Sequence, residues 1–203
     1  NTEKLNLAAA GVEVTASGHI PVTDRLVTNV PGIWALGDVK GGPAFTHVSY
    51  DDHLIVYDNL FGSGTRATGG RIVPYALFTD PELGRVGLTE KEARAAGYRL
   101  KIGKMPMSWV ARAIERNETA GMMKIVIDAD TDRILGAAVL GSEGGELVQT
   151  LMALMMADAP WTLVYRAIFI HPSMTEGFFT LMDNVKMDEP EPASSPAEAL
   201  AFA

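Results

Sequence analysis

Hydrophobic positions along the chain change period several times, and the changes mark its elements. Residues 143–157 place Leu147, Val148, Leu151, Leu154 and Met155 at a three-four spacing, which predicts an amphipathic helix. Residues 99–107 and 122–128 read as strands, and residues 134–140 as a third that pairs with the second. Asp128-Ala129-Asp130-Thr131-Asp132 separates these last two β-branched runs and predicts a hairpin. Its acids echo the start of a calcium loop, but the Gly and Glu that such a loop needs further on are missing, so it reads as a polar turn. Residues 89–96 form a short helix with Thr89 as cap. Nearer the start, residues 5–10 read as helix-like, 12–14 and 20–22 as extended, 33–37 as a short buried strand, and 46–60 as a helix. Gly62-Ser63-Gly64 through Gly69-Gly70-Arg71 is the clearest boundary. The strands and helices beyond it, with helices packed on one face, define an α+β domain.

Two stretches carry candidate chemistry. Residues 29–38, Asn-Val-Pro-Gly-Ile-Trp-Ala-Leu-Gly-Asp, are a turn, an apolar run and a carboxylate at the run's end. Ligands of open α/β sheets collect beyond the carboxyl ends of strands, so Asp38 can accept from a hydroxylated ligand while Gly37 lets it approach the backbone. A plain strand-ending turn fits the same residues. The second stretch is His171-Pro172-Ser173-Met174-Thr175-Glu176, after the apolar run Ala167-Ile168-Phe169-Ile170. Pro172 fits the first turn of a helix, with His171 at its entrance and Glu176 further in, near enough to reach the imidazole. A carboxylate on one ring nitrogen fixes the tautomer and raises the basicity of the other, making a proton-transfer pair. On spacing alone, a helix cap with a surface Glu fits as well.

Both stretches, and the text between them, resemble the carboxyl-terminal half of the pyridine nucleotide-disulfide oxidoreductases, the family of dihydrolipoamide dehydrogenase, glutathione reductase and mercuric reductase. The resemblance runs from Asn1 to about Val185. It takes in residues 5–14, 28–39 and 42–47, then Phe78-Thr79-Asp80-Pro81-Glu82, Val86-Gly87-Leu88-Thr89-Glu90, Lys124-Ile125-Val126-Ile127, Ile134-Leu135-Gly136 and His171 through Glu176, all in order. Gly41 through Thr46 and Tyr50-Asp51-Asp52 look most like the mercuric-reductase-like and reactive-chlorine-resistance branch.

The resemblance implies an α+β interface (dimerisation) domain preceded by the carboxyl-terminal end of an α/β FAD-binding domain. Residues 1–61 would close the FAD-binding domain, 62–71 form the connector, 72–187 the dimerisation domain, and 188–203 a disordered acidic tail. It implies FAD as cofactor and NAD(P)H as the hydride source of the full-length enzyme. Gly37, Asp38, Phe45, Thr46 and His47 would meet the cofactor, Asp38 at its ribityl or pyrophosphate part, a strand-end carboxylate being able to accept from ribityl hydroxyls. Thr46 and His47 open a helix whose free N–H groups and dipole suit the anionic edge of reduced flavin. His47 fits a packing role equally, so the expected contact there is the backbone's. His171 and Glu176 would be the acid-base pair serving the dithiol of the other subunit, which implies a homodimer through residues 72–187. The apolar face of residues 143–157, with Phe178 and Phe179, offers material for that interface. The same residues could instead fill the domain's own core.

Composition qualifies this picture. The chain has no Cys, so the redox Cys-x-x-x-x-Cys of the family is not in it, nor is a Gly-x-Gly-x-x-Gly. Both lie upstream in the family, so the expectation is a carboxyl-terminal part of a longer enzyme, with a disulfide, a metal ion or another small oxidant as electron acceptor. The tail also lacks the Cys pair with which mercuric reductase captures Hg(II). The ten Met residues fall at core-like spacing and read as packing, not metal capture. A formal net charge of −8 argues against a nucleic-acid partner; half comes from Asp188, Glu189, Glu191 and Glu198. Apolar runs are too short for a membrane span, and a cytoplasmic location is expected. His19 and His53 show no partner pattern. The contrasting reading is a noncatalytic dimerisation module.

Overall fold

The computed structural model describes residues 2–188, so the expected disordered tail lies outside them except for Asp188. The chain divides into two compact units, Asn1–Arg71 and Ile72–Ala203.

The first unit is built mostly from turns. Short 3-10 helices at Glu3–Leu5 and Leu7–Ala10 occupy the helix-like opening. The stretches expected to be extended or a strand form no ladder. Residues 12–14 and 20–22 are irregular, and residues 33–37 contribute one isolated bridge, Val27 to Trp34. The reason is local: Gly37 turns to φ +71°, so the run breaks into a 3-10 turn at Gly37–Lys40. Val12, Ile20 and Ala35 still bury together as a small core. Helix α1, Thr46–Phe61, follows.

The second unit centres on a six-stranded sheet. Its strands are β1 (Tyr75–Leu77), β2 (Leu83–Gly87), β3 (Leu100–Pro106), β4 (Met122–Asp128), β5 (Ile134–Leu140) and β6 (Val185–Met187), in the order β1-β2-β5-β4-β3-β6. Every neighbouring pair is antiparallel. The hairpin between β4 and β5 closes as expected, with Asp128 accepting from the Asp130 N–H and the Thr131 hydroxyl. Alternation along the strands sorts two cores. Met123, Ile125 and Ile127 of β4 face the main core, while Val126 faces a smaller one on the other side.

Helix α4, Gly144–Met156, packs its Leu147-Val148-Leu151 stripe on β2 and β5. Helix α6, Gly177–Asp183, packs on β3 and β4, with α5, Thr162–Arg166, against it. The short helix α3, Ala111–Arg116, adds Ala113 to the main core. Helices do not keep to one face, however: α2, Glu90–Ala95, seats Ala93 on Leu100, Ile102 and Val126 across the sheet. Thr89 and Glu92 close a reciprocal capping box at its start. Met105, Met107, Met123, Met174 and Met182 are buried and Met152 and Met155 pack against the core as expected, but Met122, Met156 and Met187 are exposed. No helix among the described residues is long and apolar enough to cross a membrane.

Candidate functional site

His171 and Glu176 meet, though not on a helix. Residues 171–176 are bends and turns after a cis His171–Pro172 bond, and α6 begins only at Gly177. The Ser173 hydroxyl accepts the Glu176 N–H at 3.2 Å, the bond by which a serine marks a helix entrance, so regular helix starts only beyond it. The loop nonetheless brings His171 Nδ1 to 2.9 Å from both oxygens of Glu176. That bond directs the Nδ1 proton at the carboxylate and leaves Nε2 as the acceptor. The histidine side chain is 69% exposed, so this nitrogen is open to a reactant.

Packing behind the loop sets its position. Met174 is buried in the main core, as are Phe178 and Leu181 of α6. Gly177 allows the close approach: a Cβ there would sit 2.8 Å from Val110 Cγ2 and 3.3 Å from Met123 Cε. Trp109, Phe169, Phe179 and His171 line a recess of about 370 Å³. Phe178, considered for an interface, fills the core instead, as do Leu147, Val148 and Leu151 of α4. Apolar surface lies elsewhere, on Ile168 (100% exposed) and Ile170 (81%), just before His171.

The first unit holds the other candidates. Asp38 is exposed on the turn after Gly37, and its carboxylate has no partner among the described residues. Thr46 is the first residue of α1, whose Phe45 N-cap supplies no side-chain bond, so the first-turn N–H groups are not capped that way. The rings of Phe45 and His47 stack at 5.2 Å. An exposed acceptor near the start of a sixteen-residue helix that has no side-chain cap suits a ligand carrying both hydroxyls and negative charge, which flavin dinucleotide does. His53 is not isolated: its ring lies between Tyr50 and Tyr57, at 5.7 and 6.3 Å. His19 Nδ1 meets the Ser17 hydroxyl at 3.0 Å.

A larger recess, about 470 Å³, lies against α2 and includes neither set of residues. Arg85, Glu90, Arg94 and Lys124 are among its lining. Lys124, then Arg94, hold the Glu90 carboxyl down at about 2. Its charges are largely spent on one another.

Sequence reading missed Asp52, which is fully buried in α1 and holds the Gly37 N–H at 2.9 Å. A signal was available, since Asp52 falls on the same helix face as Val48 and Ile55. A charged residue on a core face is rarely there without partners.

The model for the pyridine nucleotide-disulphide oxidoreductase dimerisation domain matches residues 73–182, and that for pyridine nucleotide-disulphide oxidoreductases matches residues 1–52. The chain belongs to the pyridine nucleotide-disulfide oxidoreductase family, whose members are FAD-dependent and use NAD(P)H.

Among its relatives, the probable pyridine nucleotide-disulfide oxidoreductase RclA of Escherichia coli is 40% identical over 186 residues, which cover 91% of this chain and 42% of that protein. Dihydrolipoyl dehydrogenase of Thermus scotoductus is 39% identical, over 87% of this chain and 38% of the relative. The solved structure of the HOCl-induced flavoprotein disulfide reductase RclA from Escherichia coli superposes with a TM-score of 0.87, covering 92% of this chain and 43% of that one. Another solved structure of RclA is a Cu(II) complex. LpdA of Mycobacterium tuberculosis, at 22% identity and a TM-score of 0.83, shares the fold. The chain spans about two fifths of the length of RclA and of the Thermus enzyme.

Proposed function

We propose that this chain is the carboxyl-terminal part of an FAD-dependent NAD(P)H oxidoreductase of the disulfide-reductase type, working as a homodimer through residues 72–187. One observation carries the reading: an exposed imidazole whose Nδ1 is bonded to both oxygens of Glu176. Bound FAD would supply the hydride-accepting chemistry between NAD(P)H and a cysteine pair upstream of this chain. Gly37, Asp38 and the Phe45-Thr46-His47 start of α1 would hold it, Asp38 by accepting from hydroxyls and the helix N–H groups by facing negative charge.

His171 then acts on thiols. Thiolate is the reactive form, so His171 Nε2 takes the proton from one thiol as it attacks the acceptor and returns it to the departing thiolate. Glu176 holds the ring's tautomer and stabilises the imidazolium formed in between. The pair would serve the cysteines of the neighbouring protomer, and Ile168 and Ile170 provide apolar surface for the contact. A disulfide, a metal ion or another small oxidant would be the final acceptor; the likeness to RclA, which has been solved with Cu(II), keeps metal ions in that set. Working without a disulfide, as soluble transhydrogenases of the family do, is disfavoured because the His-Glu pair is retained.

The test compares half-reactions in the purified protein, after its intact mass and flavin absorbance are recorded. His171→Ala should slow reoxidation by a disulfide substrate by about 10²–10⁴-fold and leave reduction of the flavin by NAD(P)H intact. Equal loss in both half-reactions defeats the assignment, and a colourless, stable dimer favours the noncatalytic module.

A further inference from the structure

Three donors converge on the buried carboxylate of Asp52. The Gly37 N–H lies at 2.9 Å, Arg71 Nη1 at 2.7 Å and Lys40 Nζ at 3.2 Å. Gly37 and Lys40 are the first and last residues of the turn that carries Asp38, so one side chain grips that turn at both ends. Lys40, its side chain 7% exposed, also donates to the Gly41 carbonyl, fastening the turn's exit. Arg71 stands at the end of the Gly-rich connector and bonds Asp51 as well, which in turn takes Arg66. The connector is thereby tied to the same point on α1.

An apolar side chain could fill this place. It could not accept the Gly37 N–H, and packing has no direction whereas a hydrogen bond does. Burying a carboxylate is unfavourable unless it is paired and bonded, and here each partner belongs either to the Asp38 turn or to the connector.

We propose that Asp52 is a positioning residue for the flavin-contacting turn, fixing the direction in which Asp38 is presented and coupling it to the connector through Arg71. This rests on the flavin reading of Asp38 given above. A carboxylate that must meet ribityl hydroxyls at hydrogen-bond distance tolerates little rotation of the turn beneath it.

The test uses the full-length holoenzyme and three variants on α1. Asp52→Asn keeps the size and one acceptor oxygen but loses the charge; Asp52→Ala loses both. Asp58→Asn is the comparator, because Asp58 accepts from the Ser63, Thr65 and Arg66 N–H groups of the connector and does not touch the turn. FAD affinity is read by flavin fluorescence, the visible band of bound flavin by absorbance, and folding by thermal melts. Asp52→Asn should weaken FAD binding about tenfold and Asp52→Ala about a hundredfold, both with an altered visible band. Asp58→Asn should lower the melting temperature and leave both flavin readouts unchanged.

Should Asp52→Ala not fold, Lys40→Met tests the same grip, since it leaves the Gly37 and Arg71 bonds in place, and FAD affinity should fall about threefold. Yellow wild type with unaltered flavin readouts in Asp52→Asn overturns this inference alone. So does an equal loss of FAD in Asp58→Asn. Colourless wild type overturns the flavin reading on which it stands.

Discussion

The loop of residues 171–176 rests on hydrocarbon, with Met174 beneath it and Phe178 and Leu181 behind. The Gly37–Lys40 turn rests on charge, held by Asp52 with Lys40 and Arg71 around it. Their tasks differ in the same way. His171 and Glu176 are five residues apart and bond to each other, so their support has only to hold the loop against the core. Asp38 has no partner among the described residues, and its aim is set by the backbone below it. Packing fixes place, whereas directional bonds fix angle.

Breaking the hydrocarbon support should give the largest effect. Phe178→Ala removes a fully buried ring and should cost about 3–5 kcal/mol of unfolding free energy, measured by urea titration. Retained stability would show that α6 does not anchor the loop. A size-conserving change sharpens the contrast: Met174→Leu should cost under about 1.5 kcal/mol, while Asp52→Asn, equally close in size, should cost more. Similar losses in the two would show that both supports act by packing alone.

Charge at the surface should matter least. Glu90 has a folded value of about 2 against an ordinary 4.5, so its stabilising contribution is present above pH 4.5 and lost as the pH falls toward 2. Because the side chain is 26% exposed and its partners face water, that contribution is on the order of 1 kcal/mol. Glu90→Gln should flatten the acid limb of the stability curve by that amount. An unchanged limb would leave the cluster with no stabilising role.

What could be read from the sequence was short-range. The Asp128–Asp132 turn, the Leu147-Val148-Leu151 stripe and the Thr89 cap each declare themselves within one or two turns of chain. His171 and Glu176 were legible as a pair for the same reason, although the helix expected to carry them starts only at Gly177, with Ser173 at its entrance. Strands β1 and β6 are three residues each and exist through their neighbours, so no periodicity announces them. β2 alternates Val86 with Arg85, but two of its five residues are glycine, which obscures the pattern. Asp52 was hidden differently: its partners Gly37 and Arg71 lie 15 and 19 residues away.

An imidazole 69% open to solvent, beside Ile168 and Ile170, has a consequence for dilution. If each thiol centre borrows its base from a sister chain, then lowering the protein concentration below the dimer's dissociation constant should uncouple the two halves of turnover. Nicotinamide would go on bleaching the yellow colour, while exchange with disulfide would stall until the chains found one another again.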